Sequence, residues 1–380
     1  MRIAHVTMFY EPAICGVKQV VRELAERQVK EGHEVHVFSC DSDKEKRIEV
    51  KEDIINGVKV HYLPYWFRLS RFTYIWPSLF WKFPKKKFDI IHSHVSGHLY
   101  VYISGLLARR NKIPHVHTTH CPWTDAFRPL PARIALFFSY NFFNKGAFKR
   151  VDKIVALTPW ELNFIRRWAP DEKISVIPNG MADVMFERVK PNKFKKEHNI
   201  SGKLVLFFGR LNVTKGVDKL ALVAKEVVKE RDDVWFMWVG PDEGMKSAVE
   251  EIIKGEPHLI LHEPIREREK VAEMYQAADV YVLPSYREGL PLTLFEAMAS
   301  GLPIIASPVN GVPYEMKEPE NGFLVNYGDL ENLKMRILQV VDDKKLAEKI
   351  GKNNTERSKQ YNWDIIAMKY MAVYRDVLRR

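Results

Sequence analysis

Short apolar runs alternate with longer runs of helical spacing along the whole chain, and this alternation constrains the fold more than any other feature. Ile3–Met8 reads as a buried strand. Val17–Lys30 then sets Val20, Val21, Leu24, Ala25 and Val29 on one helical face before Gly32 stops it. Glu34–Ser39 (EVHVFS) is the next strand. Near-continuous apolar strands joined by helices predict parallel sheets covered on both faces. The pattern continues at Val58–Leu63, Asp89–Ser93, Pro114–Thr118, Lys153–Leu157 and Ser175–Ile177, which runs into the turn Pro178-Asn179-Gly180. A polar, basic stretch, Lys190–Lys203, reads as a linker. A second set of strands follows at Leu204–Phe208, Val234–Val239, Leu259–His262, Val280–Pro284 and Pro303–Ala306, with a helix at Gly216–Lys229 and long helices from Leu330 onward. The prediction is α/β: two facing Rossmann-like, doubly wound parallel-sheet domains with a cleft between them. Ligands in such sheets bind at the C-terminal strand ends.

Charge distinguishes the halves. Residues 1–190 hold 30 Lys and Arg against 19 Asp and Glu, whereas residues 191–380 hold 29 of each, so the net +11 lies in the first half. The target of that charge is expected to be something the first half alone meets. Cys15, Cys40 and Cys121 are odd in number, widely spaced and without a CxxC, which fits reduced thiols in a cytoplasmic protein. MRIAHVTMFY reads as a strand and lacks the apolar core of a signal peptide. No apolar run reaches the ~18 residues of a membrane-spanning helix.

Two segments carry chemistry. In VLFFGRLNVTKG (Val205–Gly216) a strand ends at Gly209, where close backbone approach is expected, and Arg210 and Lys215 flank a short loop. Two such cations suit a diphosphate. Alone, the segment fits a strand–loop–helix junction with solvated charges equally well. In LPSYREGLPLTLFEAMASGLP (Leu283–Pro303) a strand leads through Ser285–Pro291 into a helix from Leu292, closed by Gly301 and Pro303. The free N–H groups of Leu292 and Thr293 form an anion site. Glu288 and Glu296 bracket it. Carboxylates beside a phosphate would repel it unless each serves a hydroxyl, and those of a sugar and a ribose are the natural partners. The plainer alternative is a capping acid and a solvated helix residue.

The seven-residue spacing of Glu288 and Glu296 resembles the E-x7-E motif of retaining glycosyltransferase family 4, the "glycosyl transferases group 1" domain. GRLNVTKG is similar to that family's G-R-x-x-x-x-K-G loop. Pro178-Asn179-Gly180, GHEVHV at Gly32–Val37, IHSH at Ile91–His94, NGVPYEM and NGFLV match its other landmarks, from Ile3 to Tyr374. The resemblance implies a GT-B fold. It divides the chain into residues 1–188 for the acceptor, 189–361 for the nucleotide sugar, and 362–380 as a helix crossing back to the first domain.

By the same resemblance Arg210 and Lys215 bind the pyrophosphate, Glu288 meets the sugar hydroxyls and Glu296 the ribose. Gly209 and the backbone of Gly289, Leu290, Pro291, Leu292 and Thr293 hold the donor. Gly16 and Lys18 belong to an acceptor or phosphate loop. His120 contacts the donor sugar near the reacting carbon, with Cys121 where the family has Asp. Cys15-Gly16 stands where Gly-Gly is common, and Met181-Ala182 lacks the usual Asp after the hinge. The implied reaction moves a hexose from a UDP-glucose- or GDP-mannose-type donor to a hydroxyl acceptor with retention. It uses no metal, no cofactor and no protein nucleophile. Charge held by Arg210, Lys215 and the helix start at Leu292 is the main catalytic contribution. Hinges are expected near Gly180 and before the last helix.

Other signals are weighed against these. His92, His94, His115, His117, His120 and Cys121 match no zinc spacing. Asp41-Ser42-Asp43 mimics a manganese-binding D-x-D, but the following Lys44–Arg47 favours a solvated loop. Tyr65–Phe88 has ten aromatics, six Lys or Arg and no acid; Phe127–Arg150 has seven aromatics and five cations. One reading is helices packed on the sheet with basic outer faces. The other is an anionic membrane surface on the inner face, which makes the acceptor a lipid or lipid-linked glycan. No nucleic-acid motif is present. The rival functions are a nucleotide-sugar 2-epimerase on the same fold and a non-catalytic nucleotide-sugar-binding module.

Overall fold

A computed structural model describes residues 1–13, 15–70, 73–84, 88–120, 130–187 and 191–379. Cys121, the expected boundary at 188/189, and parts of both aromatic–basic stretches lie outside the described residues. The chain forms two compact units, Met1–Asn179 with Trp363–Arg380, and Gly180–Asn362. The changeovers thus fall at 179/180 and 362/363. The supposed linker is a correction: Pro191–Glu197 is a helix that buries Phe194, and Lys203 already begins a strand. Its abundant lysines hide two buried apolar residues, Phe194 and Ile200.

In the first unit, β1 (Arg2–Val6), β2 (Glu34–Cys40), β3 (Glu52–Ile55) and β4 (Val58–Leu63) precede a hairpin, β5 (Phe67–Ser70) and β6 (Thr73–Ile75). Then come β7 (Ile90–His94), β8 (His115–Thr118), β9 (Lys153–Ala156) and β10 (Ile174–Val176). The main sheet runs β10-β9-β8-β7-β1-β2-β4-β3 and is parallel except where β3 meets β4. Glu52–Ile55 escapes the apolar pattern because it is an edge strand with three exposed residues. The helix Gly16–Lys30 covers the sheet with Val20, Val21, Leu24 and Ala25, and Cys15 caps it by accepting from the Lys18 amide at 3.4 Å. On that side the helix Trp363–Arg379 buries Trp363, Ile366, Tyr370 and Tyr374 against Ile3, Val20, Leu24, Ile90 and Val116. Each such large side chain contributes roughly 1.5–3 kcal/mol when fully buried.

The stretch from Tyr65 is a hairpin and a short helix, Leu79–Lys82, rather than packed helices. Trp66, Phe67, Leu69 and Trp81 lie exposed. The helix Leu130–Phe138 turns Leu130, Ile134 and Phe137 outward, one helical face, with Phe138 and Phe142 exposed beside it. The outer faces are therefore aromatic as well as basic. Asp41-Ser42-Asp43 is corrected too: Asp41 is buried and pairs with Arg47 at 2.8 Å, while Asp43 accepts from the Glu45 and Lys46 amides.

The second unit contains β11 (Lys203–Phe208), β12 (Val234–Val239), β13 (Leu259–His262), β14 (Val280–Leu283), β15 (Ile304–Ala306) and β16 (Gly322–Leu324). They form one parallel sheet ordered β13-β12-β11-β14-β15-β16. β16 extends the sheet beyond the predicted last strand; three residues are too few for a periodicity signal. Strand order reverses direction between β11 and β14, and between β1 and β7 in the first unit. Loops at the C-terminal ends of such strand pairs splay apart and leave room for a ligand.

Candidate active site

The loops after β11 and β14 meet at that reversal in the second unit. Three contacts join them. Gly216 has φ +63°, and a Cβ there would come within 2.1 Å of the Pro284 carbonyl oxygen. The Tyr286 amide donates to the Thr214 carbonyl at 3.1 Å. Lys215 Nζ donates to Glu288 Oε1 at 2.6 Å, with both side chains about nine-tenths buried. Lys215 is therefore fixed by the acid of the other loop, and Glu288 by the cation. Behind Glu288, Asn310 donates its side-chain amide to the Glu288 carbonyl. Asn310 sits at φ +49°, in the Asn-Gly turn of NGVPYEM.

The close approach expected at Gly209 exists, but the residue that permits it is Gly240. A Cβ on Gly240 would lie 1.8 Å from the Gly209 carbonyl oxygen, whereas one on Gly209 would meet the Phe207 ring at 3.3 Å. Arg210 is half exposed and bonds Glu243 Oε2 at 2.8 Å, which also accepts from Asn212 at 3.0 Å. Glu243 was not legible as a partner, since it comes from the loop after a third strand.

The helix Leu292–Ala299 starts at Pro291 with no side-chain cap, an arrangement in which the first amides can receive an anion. Gly289 has nothing within 4 Å of a Cβ position, and Leu290 is buried. Ser285 Oγ, at the end of β14, is buried with no hydrogen-bond partner among the described residues. Glu296 is half-buried, and its pKa is raised by desolvation while Tyr275 donates to Oε2 at 3.0 Å. Tyr275 stands on a separate helix, so no local motif announces it. Together these residues offer two cations, free amides and two carboxylates, the complement of a phosphate bearing sugar hydroxyls.

In the first unit, Gly16 opens its helix with no atom within 4 Å of a Cβ position, and Lys18 pairs with Glu11 at 2.9 Å. His120 follows β8 at φ +44°. Burial pushes its pKa down to about 3, so it is neutral at physiological pH. Where the resemblance leads one to expect an Asp as its partner, His94 Nδ1 lies 3.2 Å from His120 Nε2. His115 Nε2 and His117 Nδ1 share Ser93 Oγ at 2.8 and 2.9 Å. Ring nitrogens of His5, His92 and His94 come within 4.8 Å of one another, and His5 was absent from the sequence-based histidine set.

The "Glycosyltransferase Family 4" model matches residues 14–183, and "Glycosyl transferases group 1" matches residues 189–357. Over 316 residues the chain is 29% identical to a D-inositol 3-phosphate glycosyltransferase of Corynebacterium diphtheriae, covering 76% of this chain and 71% of that one. It is 27% identical to the UDP-Gal:alpha-D-GlcNAc-diphosphoundecaprenol alpha-1,3-galactosyltransferase of Escherichia coli, covering 91% and 89%. Anabaena HepE, crystallised with UDP and glucose, superposes with a TM-score of 0.78 at 16% identity over 99% of this chain and 100% of that one. The two matched halves, their sheet orders and the welded loops at the second switch point agree: the chain belongs to the group 1 glycosyltransferases and has the GT-B fold.

Proposed function

We propose that the protein transfers a hexose with retention, without a metal, from a nucleoside diphosphate sugar of the UDP-glucose or GDP-mannose type to a hydroxyl of a lipid or lipid-linked glycan. The observation that carries this is the buried Lys215–Glu288 pair beside the uncapped helix start at Leu292. A diphosphate entering here takes Lys215, Arg210 and the amides of Leu292 and Thr293, and leaves Glu288 free to accept from a sugar hydroxyl. Glu296 receives the ribose. As the anomeric bond breaks, the same donors stabilise the departing phosphate charge. The phosphate oxygen takes the proton of the attacking hydroxyl, so no side chain is asked to be a nucleophile. His120, Gly16 and Lys18 are the first unit's contribution to substrate binding. A donor carrying UDP accords with the ligands of HepE and with the name of the E. coli relative.

A thermal-shift panel of nucleotides and nucleotide sugars tests the reading, because a ligand bound only by the folded state raises Tm. One nucleotide sugar is expected to raise it equally with and without EDTA. No shift, or a shift abolished by EDTA, would overturn the metal-free transferase. Turnover that requires an acceptor separates it from an epimerase and from a binding module.

The lipid acceptor draws on a different observation. Trp66, Phe67, Leu69 and Trp81, and Leu130, Ile134, Phe137, Phe138 and Phe142, are exposed on the first unit, with Arg68, Lys82 and Arg133 among them. No helix is long and apolar enough to span a membrane among the described residues. Aromatics beside cations suit the boundary of an anionic bilayer. The chain is expected to sediment with phosphatidylglycerol vesicles at low salt and to lose this when Phe137 and Trp66 become Ser. Equal sedimentation of the variant would remove the membrane from the proposal.

A further inference from the structure

Three histidines and a glutamine form one hydrogen-bonded chain beneath the first unit's switch point. Gln28, on the helix Gly16–Lys30, stands at its far end. The Gln28 side-chain oxygen lies 2.8 Å from His5 Nε2, and its nitrogen lies 3.4 Å from the Tyr374 hydroxyl. His5 Nδ1 lies 3.0 Å from His94 Nε2, and His94 Nδ1 lies 3.2 Å from His120 Nε2. His5, His92, His94 and Gln28 are buried. A second arm leaves Gln28 through Tyr374, which donates to His92 Nδ1 at 2.6 Å; His92 Nε2 meets Thr118 Oγ1 at 2.7 Å.

The chain has a direction. An amide oxygen only accepts, so His5 Nε2 must carry the hydrogen that meets it. The rings are neutral: burial drives His5 to about 4 and His94 well below its ordinary value. A neutral imidazole has one N–H, so His5 Nδ1 holds a lone pair and accepts from His94 Nε2–H. By the same step His94 Nδ1 accepts from His120 Nε2–H. Reversing a single link would set two N–H groups, or two lone pairs, face to face without water. Such a buried mismatch costs about 1–3 kcal/mol, so the links hold one another in register.

We propose that Gln28, His5 and His94 are positioning residues that hold His120 as the Nε2–H tautomer, leaving Nδ1 as an acceptor for a hydroxyl group of the substrate. The identity of that hydroxyl's owner as a sugar rests on the transferase reading; the tautomer does not. The His5, His92 and His94 nitrogens are also close enough to hold one cation, yet all six ring nitrogens already have protein partners. A bound metal would need the lone pairs that the chain assigns elsewhere, so the two arrangements exclude each other.

Protein labelled with 15N in the histidine rings, read by long-range 1H–15N correlation without substrate, tests this. The His120 signals are identified by their loss in His120→Gln. His120 is expected to show a protonated Nε2 and a bare Nδ1 in the wild type. Gln28→Met, two rings away, and His94→Phe are each expected to turn this into a tautomer mixture; Gln28→Met provides the answer if His94→Phe fails to fold. A protonated Nδ1 in the wild type, or an unchanged His120 in the folded variants, would overturn the relay. So would stoichiometric zinc in the purified protein that disappears in His5→Phe. In the transferase, Gln28→Met is expected to raise KM for the donor about tenfold or lower kcat at a temperature where the variant is still fully folded, its Tm being lowered by the unpaired His5 nitrogen. Lost turnover in Gln28→Met with its His120 tautomer unchanged would count against the relay, whereas the expected tautomers in a wild-type protein that turns over no nucleotide sugar would count only against the transferase.

Discussion

The two units use the same switch-point architecture and fill it with opposite chemistry. At the end of the first unit's sheet, neutral rings bond one another in series, His5 to His94 to His120, while His115 and His117 share the Ser93 hydroxyl. Ten of the thirteen histidines lie in that unit. At the corresponding place in the second unit, charges satisfy one another: Lys215 with Glu288 and Arg210 with Glu243. A neutral relay fixes where a hydrogen bond points. A paired cation can change partners when a phosphate arrives. On the proposed function, the contrast gives orientation to one unit and charge stabilisation to the other.

The largest effect should come from breaking the buried pair. Lys215→Ala is expected to lower kcat by about 100- to 1000-fold. It should also destabilise the second unit by about 3 kcal/mol, because Glu288 is left buried without its cation. Steady-state kinetics and urea unfolding check both, and wild-type turnover would defeat the assigned role.

Acid should strike the first unit selectively. Burial lowers His5 and His98 to about 4, and His115 and His120 to about 3. Their folded values lie below the unfolded value of ~6.5, so the unfolded chain binds protons first as pH falls. The stability they confer is fully present above that value and is lost on descending toward the folded values. At pH 5.5 the loss is roughly 1 kcal/mol for each of the four. Calorimetry between pH 7.5 and 5.5 should show the first unit's transition moving down while the second unit's holds.

Two glycines separate shape from ligand contact. Gly216→Ala is expected to cost roughly 1–3 kcal/mol, since its φ and the nearby Pro284 carbonyl both oppose a Cβ. Gly289→Ala, with open space around it, should leave Tm alone and weaken donor binding instead. Equal Tm losses would erase the distinction. The smallest effect is expected from Glu243→Gln. Arg210 is half exposed and its pair is worth about 0.2–1 kcal/mol, so freeing it should tighten donor binding no more than about fivefold in a titration.

The sheets were legible because buried parallel strands are apolar almost throughout, and β4, β12 and β13 match their predicted limits residue for residue. The candidate site was legible where loop residues are neighbours in sequence, as in Arg210 and Lys215 or Glu288 and Leu292. It was not legible where a partner arrives from another element. Glu243, Tyr275 and Asn310 carry no spacing relation to the groups they touch. His94 was read as part of the IHSH landmark and weighed as a metal ligand, but not as a partner of His120, because that bond depends on β7 and β8 lying side by side. The exposed aromatics reversed the usual expectation because composition cannot tell an inward ring from an outward one.

The helix Trp363–Arg379 gives the order of synthesis a role in folding. The second unit is one unbroken stretch and can close as soon as it leaves the ribosome. The first unit cannot: Ile3, Val20, Leu24, Ile90 and Val116 pack only partly on one another until Trp363, Tyr370 and Tyr374 emerge. At ~5–20 residues per second that wait lasts roughly 20–70 s. The first-translated unit is thus the last to mature: once Asn362 has cleared the ribosome and before Tyr374 has, the nascent chain carries a complete second unit beside a first sheet that the helix Gly16–Lys30 alone covers on that side.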